Sequence, residues 1–232
     1  MRPLATRWLG RVRYAEALAL QESLRRRILE GDESAETLLL LEHEPVITLG
    51  RGADPAHLKA APAALAARGV ELVQSSRGGD VTWHGPGQLV AYPVLRLQGG
   101  IVRHVETLAA AVIRVAASHG VRAEFRRDCP GVWIADAGDP ACGGRGRKLA
   151  AFGIHVHRRV AIHGAAFNIA SALDGFSLIV PCGQPDATPT SLSVESGKFM
   201  EVSDVIESFA EAFCAAAGRA RSPLLSASPT VE

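Results

Sequence analysis

The stretch RGGDVTWHGPGQLVAYPV, residues 77–94, sets Gly78, Gly79, Gly85, Pro86 and Gly87 around one histidine, His84, and then runs into apolar residues. It is not a phosphate loop. It lacks G-x-x-x-x-G-K-[ST], and its glycines do not follow G-x-G-x-x-G. Glycine permits tight turns and close backbone approach to a ligand, and Pro86 fixes a turn between two glycines. The plain structural reading is a glycine-rich hairpin with a core histidine. The functional reading is a ligand wall: exposed amides, Thr82 and His84 as polar points, and apolar residues for an aliphatic guest. In both readings QLVAYPVLRL is a strand.

Working outward, residues 13–30 fit an amphipathic helix with Ala17, Leu20, Leu24 and Ile28 on one face. ETLLLLEH and PVITLG read as buried strands, and PAALAARG as a short helix ending at Gly69. Val105, Leu108, Val112 and Val115 mark a second long helix, stopped by Gly120. VRAEF, GVWIA, KLAAFGIHVH and VAIHGAAFNI are strand candidates. Ser203 is placed to cap a last helix carrying Ile206, Phe209 and Phe213. Strands cluster in the middle rather than alternating strictly with helices. The expectation is therefore a single α+β domain over residues 1–220, with a mixed, largely antiparallel sheet flanked by helices. The Ser- and Pro-rich residues 221–232 are expected to form a mobile tail.

The 232 residues suffice for one sizeable core. A formal net charge of +1 argues against a general nucleic-acid binder. No apolar run approaches the ~20 residues of a membrane span, and the first thirty residues carry no signal-peptide core. Cys129, Cys142, Cys182 and Cys214 are scattered, with no CxxC pair and no zinc-site spacing. No metal and no cofactor are expected, and the compartment is read as a reducing cytoplasm with free thiols.

Two further stretches share the texture of the first. GRGRKLAAFGIHVH places Lys148 at the start of an apolar strand, and AIHGAAFNI places His163, Gly164, Ala165 and Ala166 in another. Small residues in a strand leave a groove. A lone lysine at a strand entrance is in general a solvated end, and a lone histidine beside a glycine is more often structural than catalytic. In LIVPCGQPDATPTSL, Cys182 follows an apolar run and a proline and precedes a glycine, the setting of a reactive residue displayed on a turn. Cys214, in the last helix, reads as packing.

Taken together, RGGDVTWHGPGQLVAYP (77–93), PGVWI (130–134), RKLAAFG (147–153), HGAAFN (163–168), PCG (181–183) and TSL (190–192) resemble the octanoyltransferases of lipoate biosynthesis. The resemblance implies a fold related to the catalytic domains of biotin and lipoate ligases. It implies a cysteine–lysine dyad, falling here on Cys182 and Lys148. The substrate-lining segments fall on Arg77, Gly78, Gly79, Asp80, Val81, Thr82, Trp83 and His84; on Ala151, Phe152 and Gly153; and on Gly164, Ala165 and Ala166. The implied donor is octanoyl-acyl carrier protein. The implied acceptors are the lipoyl domains of 2-oxoacid dehydrogenase complexes and the glycine cleavage H protein. Phe152 stands where the family usually has a smaller aliphatic residue.

The implied chemistry is physically coherent. Thiol attack on a thioester exchanges like for like, and amide formation on a lysine is downhill, so no ATP is needed. A free cysteine is only a few per cent thiolate at neutral pH, and a neighbouring ammonium raises that fraction. His84 is expected to fix polar parts of the substrate rather than to act as general base. Arg145, Arg147, Arg158 and Arg159 have two readings, a basic rim for an acidic carrier protein or ordinary solubilising surface charges. Three alternatives remain at this point: an ATP-dependent lipoate or biotin ligase, which gives Cys182 no task; a thioesterase; and a non-catalytic carrier-protein binding module.

Overall fold

The computed structural model describes residues 3–135, 146–170, 173–181 and 187–226. Strand β1 (Leu4–Val12) leads into helix α1 (Tyr14–Leu29), then β2 (Thr37–His43) and β3 (Val46–Leu49). Next come α2 (Pro62–Ala67), β4 (Glu71–Gln74), β5 (Val81–His84), β6 (Gln88–Arg96) and α3 (Ile101–Ser118). They are followed by β7 (Ala123–Arg126), β8 (Gly131–Ile134), β9 (Arg147–His157) and β10 (Val160–Asn168). The last described elements are β11 (Thr188–Pro189), α4 (Leu192–Ser196), α5 (Ile206–Ala216) and β12 (Arg221–Ser226).

Among the described residues the strands form two sheets. The large one runs β12-β1-β2-β6-β10-β9-β8-β7, with β11 beside β9; the small one runs β4-β3-β5. The pairings from β2 through to β7 are antiparallel, whereas β1 is parallel to both β2 and β12. The expected α+β class with a mixed, largely antiparallel sheet is what the chain adopts.

The four leucines of β2 explain the layering. Side chains alternate along a strand, so Leu38 and Leu40 enter one core and Leu39 and Leu41 the other. A strand apolar on both faces must be covered on both. Helices α3 and α5 cover the first face with Leu108, Val112, Phe209 and Phe213. Helix α1 covers the second with Ala17, Leu20, Leu24 and Ile28. A third cluster, around Ile47, Leu65, Val81, Trp83 and Ile179, holds the small sheet.

The opening motif is the joint between the sheets. Its VTWH segment is β5, in the small sheet, and its QLVAYPV segment begins β6, in the large one. Between them Gly87 has φ 85°, a conformation that disfavours any side chain, and a Cβ there would lie 2.6 Å from that of Ala170.

Three expectations change. The tail is not wholly free: Arg221–Ser226 pair with β1 as an edge strand. Ser203 does not cap α5; it lies inside a 3-10 turn, Val202–Asp204, and Val205 precedes the helix. Cys129 is disulfide-bonded, so free thiols throughout do not hold, while Cys214 is a free thiol buried in α5. No helix among the described residues is long and apolar enough to cross a membrane.

Candidate active site

A cavity of about 700 Å³ is lined from both sheets. The small sheet and the loop before it supply Arg77, Gly78, Gly79, Asp80, Thr82 and His84. Strand β9 supplies Lys148, Ala151, Phe152 and Gly153, and β10 supplies Gly164, Ala165 and Ala166. Strands β9 and β10 join through Arg158 and Arg159, both with positive φ, so their register is that of a two-residue hairpin. That register sets Gly153 opposite Gly164 and Ala151 opposite Ala166. The result is a floor almost without side chains, onto which Arg77 packs. A Cβ added at Gly153 would lie 2.9 Å from Cδ of Arg77.

Two of the expected lining residues do not reach the cavity. In β5, Thr82 and His84 face the cavity, so Val81 and Trp83 point the opposite way, into the third core cluster. The indole of Trp83 packs on Phe176 with ring centroids 5.5 Å apart.

His84 is buried and held from both ring nitrogens. Nδ1–H donates to Gln88 Oε1 at 2.7 Å, and Nε2 faces the Thr48 hydroxyl at 3.5 Å. Arg77 donates through Nε and Nη2 to that same hydroxyl oxygen, at 3.0 and 2.9 Å. Gln88 Nε2 donates to Asn168 Oδ1, and Asn168 Nδ2 to the Thr190 carbonyl, whose own N–H donates to the carbonyl of Lys148. A chain of hydrogen bonds thus ties the motif to the strand that carries the lysine. Burial, reinforced by His43 nearby, pushes the His84 imidazole well below its usual range. It is a neutral, buried imidazole with a partner at each ring nitrogen.

Among the other imidazoles depressed by burial, two stand close to His84. His43 is pushed down to about 4 and His163 to about 3, in each case chiefly by burial. His43 donates from Nδ1 to the Val12 carbonyl and accepts from the Tyr92 hydroxyl at 2.8 Å. Strand β6 carries Pro93, which has no N–H to donate, and opposite it His163 adopts φ 60°. The His163 N–H leaves the ladder for Gln21 Oε1 at 2.7 Å, and its ring lines the cavity, Nε2 3.0 Å from Ser76 Oγ.

Lys148 is 7 % exposed. Its Nζ lies 4.8 Å from the centroid of the Trp133 ring, which also carries the Arg126 guanidinium at 5.4 Å. The lysine stem passes Gly131, where a Cβ would lie 2.5 Å from Cε. Lys148 borders the main cavity and also a small recess lined by Thr82, Pro181, Ala187 and Pro189. Strand β11 pairs Pro189 with Lys148. Cys182 and Gly183 lie outside the described residues, as do Cys142 and Arg145. Arg147 forms an ion pair with Glu195 at 2.9 Å, and Arg158 and Arg159 are exposed on the hairpin turn.

The sequence reading missed Tyr14, His57, Tyr92, Ile101 and Val105, all of which line the cavity. Tyr14 opens α1, His57 lies in a 3-10 turn held to Asp80 and Val180, and Ile101 and Val105 open α3, so only the tertiary fold brings these four in. Tyr92 was within reach: it lies inside the opening motif on the same face as Val90 and Val94.

The lipoyl protein ligase A/B catalytic domain model matches residues 13–214. The chain belongs to that family. Within it, the chain is similar to the octanoyltransferase of Chloroflexus aggregans, 44 % identical over 93 % of this chain and 95 % of that one. It is 43 % identical to the octanoyltransferase of Mycobacterium leprae, over 89 % of this chain and 84 % of that one. Among solved structures it resembles a bipartite lipoate protein ligase of Thermoplasma acidophilum, with TM-score 0.74 and 15 % identity over 100 % of this chain and 88 % of that one. It also resembles a biotin protein ligase of Aquifex aeolicus, with TM-score 0.51 and 13 % identity over 94 % and 70 %. At these identities the two structures speak for the family fold alone, the one expected from the motifs.

Proposed function

We propose that this protein is an octanoyltransferase of protein lipoylation, moving an octanoyl group from octanoyl-acyl carrier protein to a lysine of a lipoyl domain. The identity of 43–44 % to octanoyltransferases over most of the chain supports the activity. The observation that carries the mechanism is the position of Lys148, a buried cation at the junction of the cavity and the recess bordered by Pro181. Cys182 follows Pro181 directly in the sequence. Cys182 attacks the thioester as the thiolate, and the Lys148 ammonium favours that form. Lys148 then gives a proton to the departing carrier thiol, and the octanoyl group waits on Cys182 with its tail along the Gly153–Gly164 floor. Burying about seven CH₂-sized groups there contributes on the order of 5 kcal/mol before binding costs. Carrier proteins and lipoyl domains meet the enzyme at the cavity mouth. A mixture of enzyme, octanoyl-carrier protein and apo-lipoyl domain should yield octanoylated domain without ATP. Turnover only with ATP and free octanoate would replace this reading by that of a ligase.

Phe152 sets the chain length. It lines the cavity and packs edge-on against Phe125, ring centroids 6.0 Å apart. Phe152→Ala should shift single-turnover acylation from octanoyl towards decanoyl and dodecanoyl donors, by about 4-fold per methylene if each contributes about 0.8 kcal/mol. Unchanged chain-length ratios in a folded variant would place Phe152 outside the path of the tail.

A further inference from the structure

His57 and Asp80 form a second ionisable pair on the cavity wall. His57 Nδ1 lies 2.5 Å from Asp80 Oδ2, and the other carboxylate oxygen accepts the Asp54 N–H at 3.0 Å. A carboxylate accepts only, so Nδ1 carries a proton, and in the neutral form of the ring Nε2 keeps a lone pair. The backbone of the pair is fixed on both sides. Gly50 N–H donates to the Asp80 carbonyl, and Val180 N–H donates to the His57 carbonyl at 2.8 Å. The bridge between Leu58 and Ile179 continues that pairing. His57 is thus stitched to the stretch Leu178–Val180 that leads to Pro181. Its side chain is 28 % exposed, which leaves it a route to solvent.

The reaction proposed above, on which this inference rests, has two protons to place. An acyl thioester and a lysine ammonium become an amide, a thiol and one free proton. The acceptor nitrogen therefore loses two of its three protons. One restores the ammonium of Lys148, which has given its own to the carrier thiol. A lysine–cysteine pair has no place for the other. We propose that His57, held by Asp80, accepts that second proton at Nε2 and releases it to solvent. The neutral amine then attacks the thioester carbonyl. The C–N bond forms, the C–S bond breaks, its electron pair returns to Cys182 Sγ, and the remaining surplus N–H proton passes to Lys148. Asp80, expected from the sequence to line the substrate site, acts through His57 as a positioning residue.

The test separates the two half-reactions. Acylation by octanoyl-carrier protein and transfer from the isolated acyl-enzyme to a lipoyl domain are timed in single turnovers for the parent, His57→Gln, His57→Ala and Asp80→Asn. In both His57 variants the transfer rate should fall about 10²-fold relative to the acylation rate. KM for the lipoyl domain should be unchanged, and added imidazole should restore transfer in His57→Ala. Asp80→Asn, which cannot accept from both Asp54 and His57, should show the same split and serves where a His57 variant fails to fold. An equal fall in both steps, a change confined to KM, an unaltered transfer rate, or slow transfer that imidazole does not restore would overturn the proposal. A parent enzyme that never forms an acyl-enzyme would overturn the reading of the function instead.

Discussion

Replacing Cys182 by Ala should lower octanoyl transfer by a factor on the order of 10⁴ or more, because the attacking atom is gone and the rest of the site cannot substitute for it. The change alters no residue of the small-residue floor or of the His84 network, so octanoyl-carrier protein should still bind. Competition binding and single-turnover kinetics on the same preparation measure both. A Cys182→Ala variant that transfers at a tenth of the parental rate or faster would mean direct attack of the acceptor lysine on the carrier thioester. The buried lysine would then serve as general base alone.

Replacing Lys148 by Met should slow acylation about 10³-fold and raise the apparent pKa of the reacting thiol. Two effects combine. The ammonium favours the thiolate through space, more strongly in a site shielded from water than at a surface. The same group supplies the proton to the leaving thiol. Met keeps most of the stem that passes Gly131 and loses only the ammonium over Trp133, so the fold should survive. Alkylation rate followed against pH separates the effects. A parental pKa with slow acylation would leave Lys148 as a proton carrier only, and parental values of both would remove it from the mechanism.

The parts of this molecule that local chemistry determines were legible in its sequence. The run Leu38–Leu41 announces a strand buried on both faces, and the spacing of Leu108, Val112 and Val115 announces α3. Strand β1 was not legible. Gly10, with φ 68°, coincides with a register shift between Trp8 and Arg11 that breaks the alternation a strand displays. Strand β12 carries Pro223 and mostly exposed or half-buried side chains, and only pairing with β1 makes it a strand. Of the expected site residues that are described, all but Val81 and Trp83 met in one cavity. Those two did not, because a motif taken as a block ignores the alternation of VTWH. His57 was invisible for another reason: its partners, Asp80 and Val180, are distant in sequence, and nothing local marks a histidine in a 3-10 turn.

The central claim is that an acyl group rests on Cys182 between donor and acceptor. The most direct measurement is intact mass of the reduced protein after incubation with octanoyl-carrier protein alone, followed by peptide mapping. The account predicts one octanoyl group per chain, labile to hydroxylamine as a thioester, on the peptide containing Cys182, and lost when lipoyl domain is added. No adduct in the presence of active transfer, or an adduct on Cys129, Cys142 or Cys214, would contradict it.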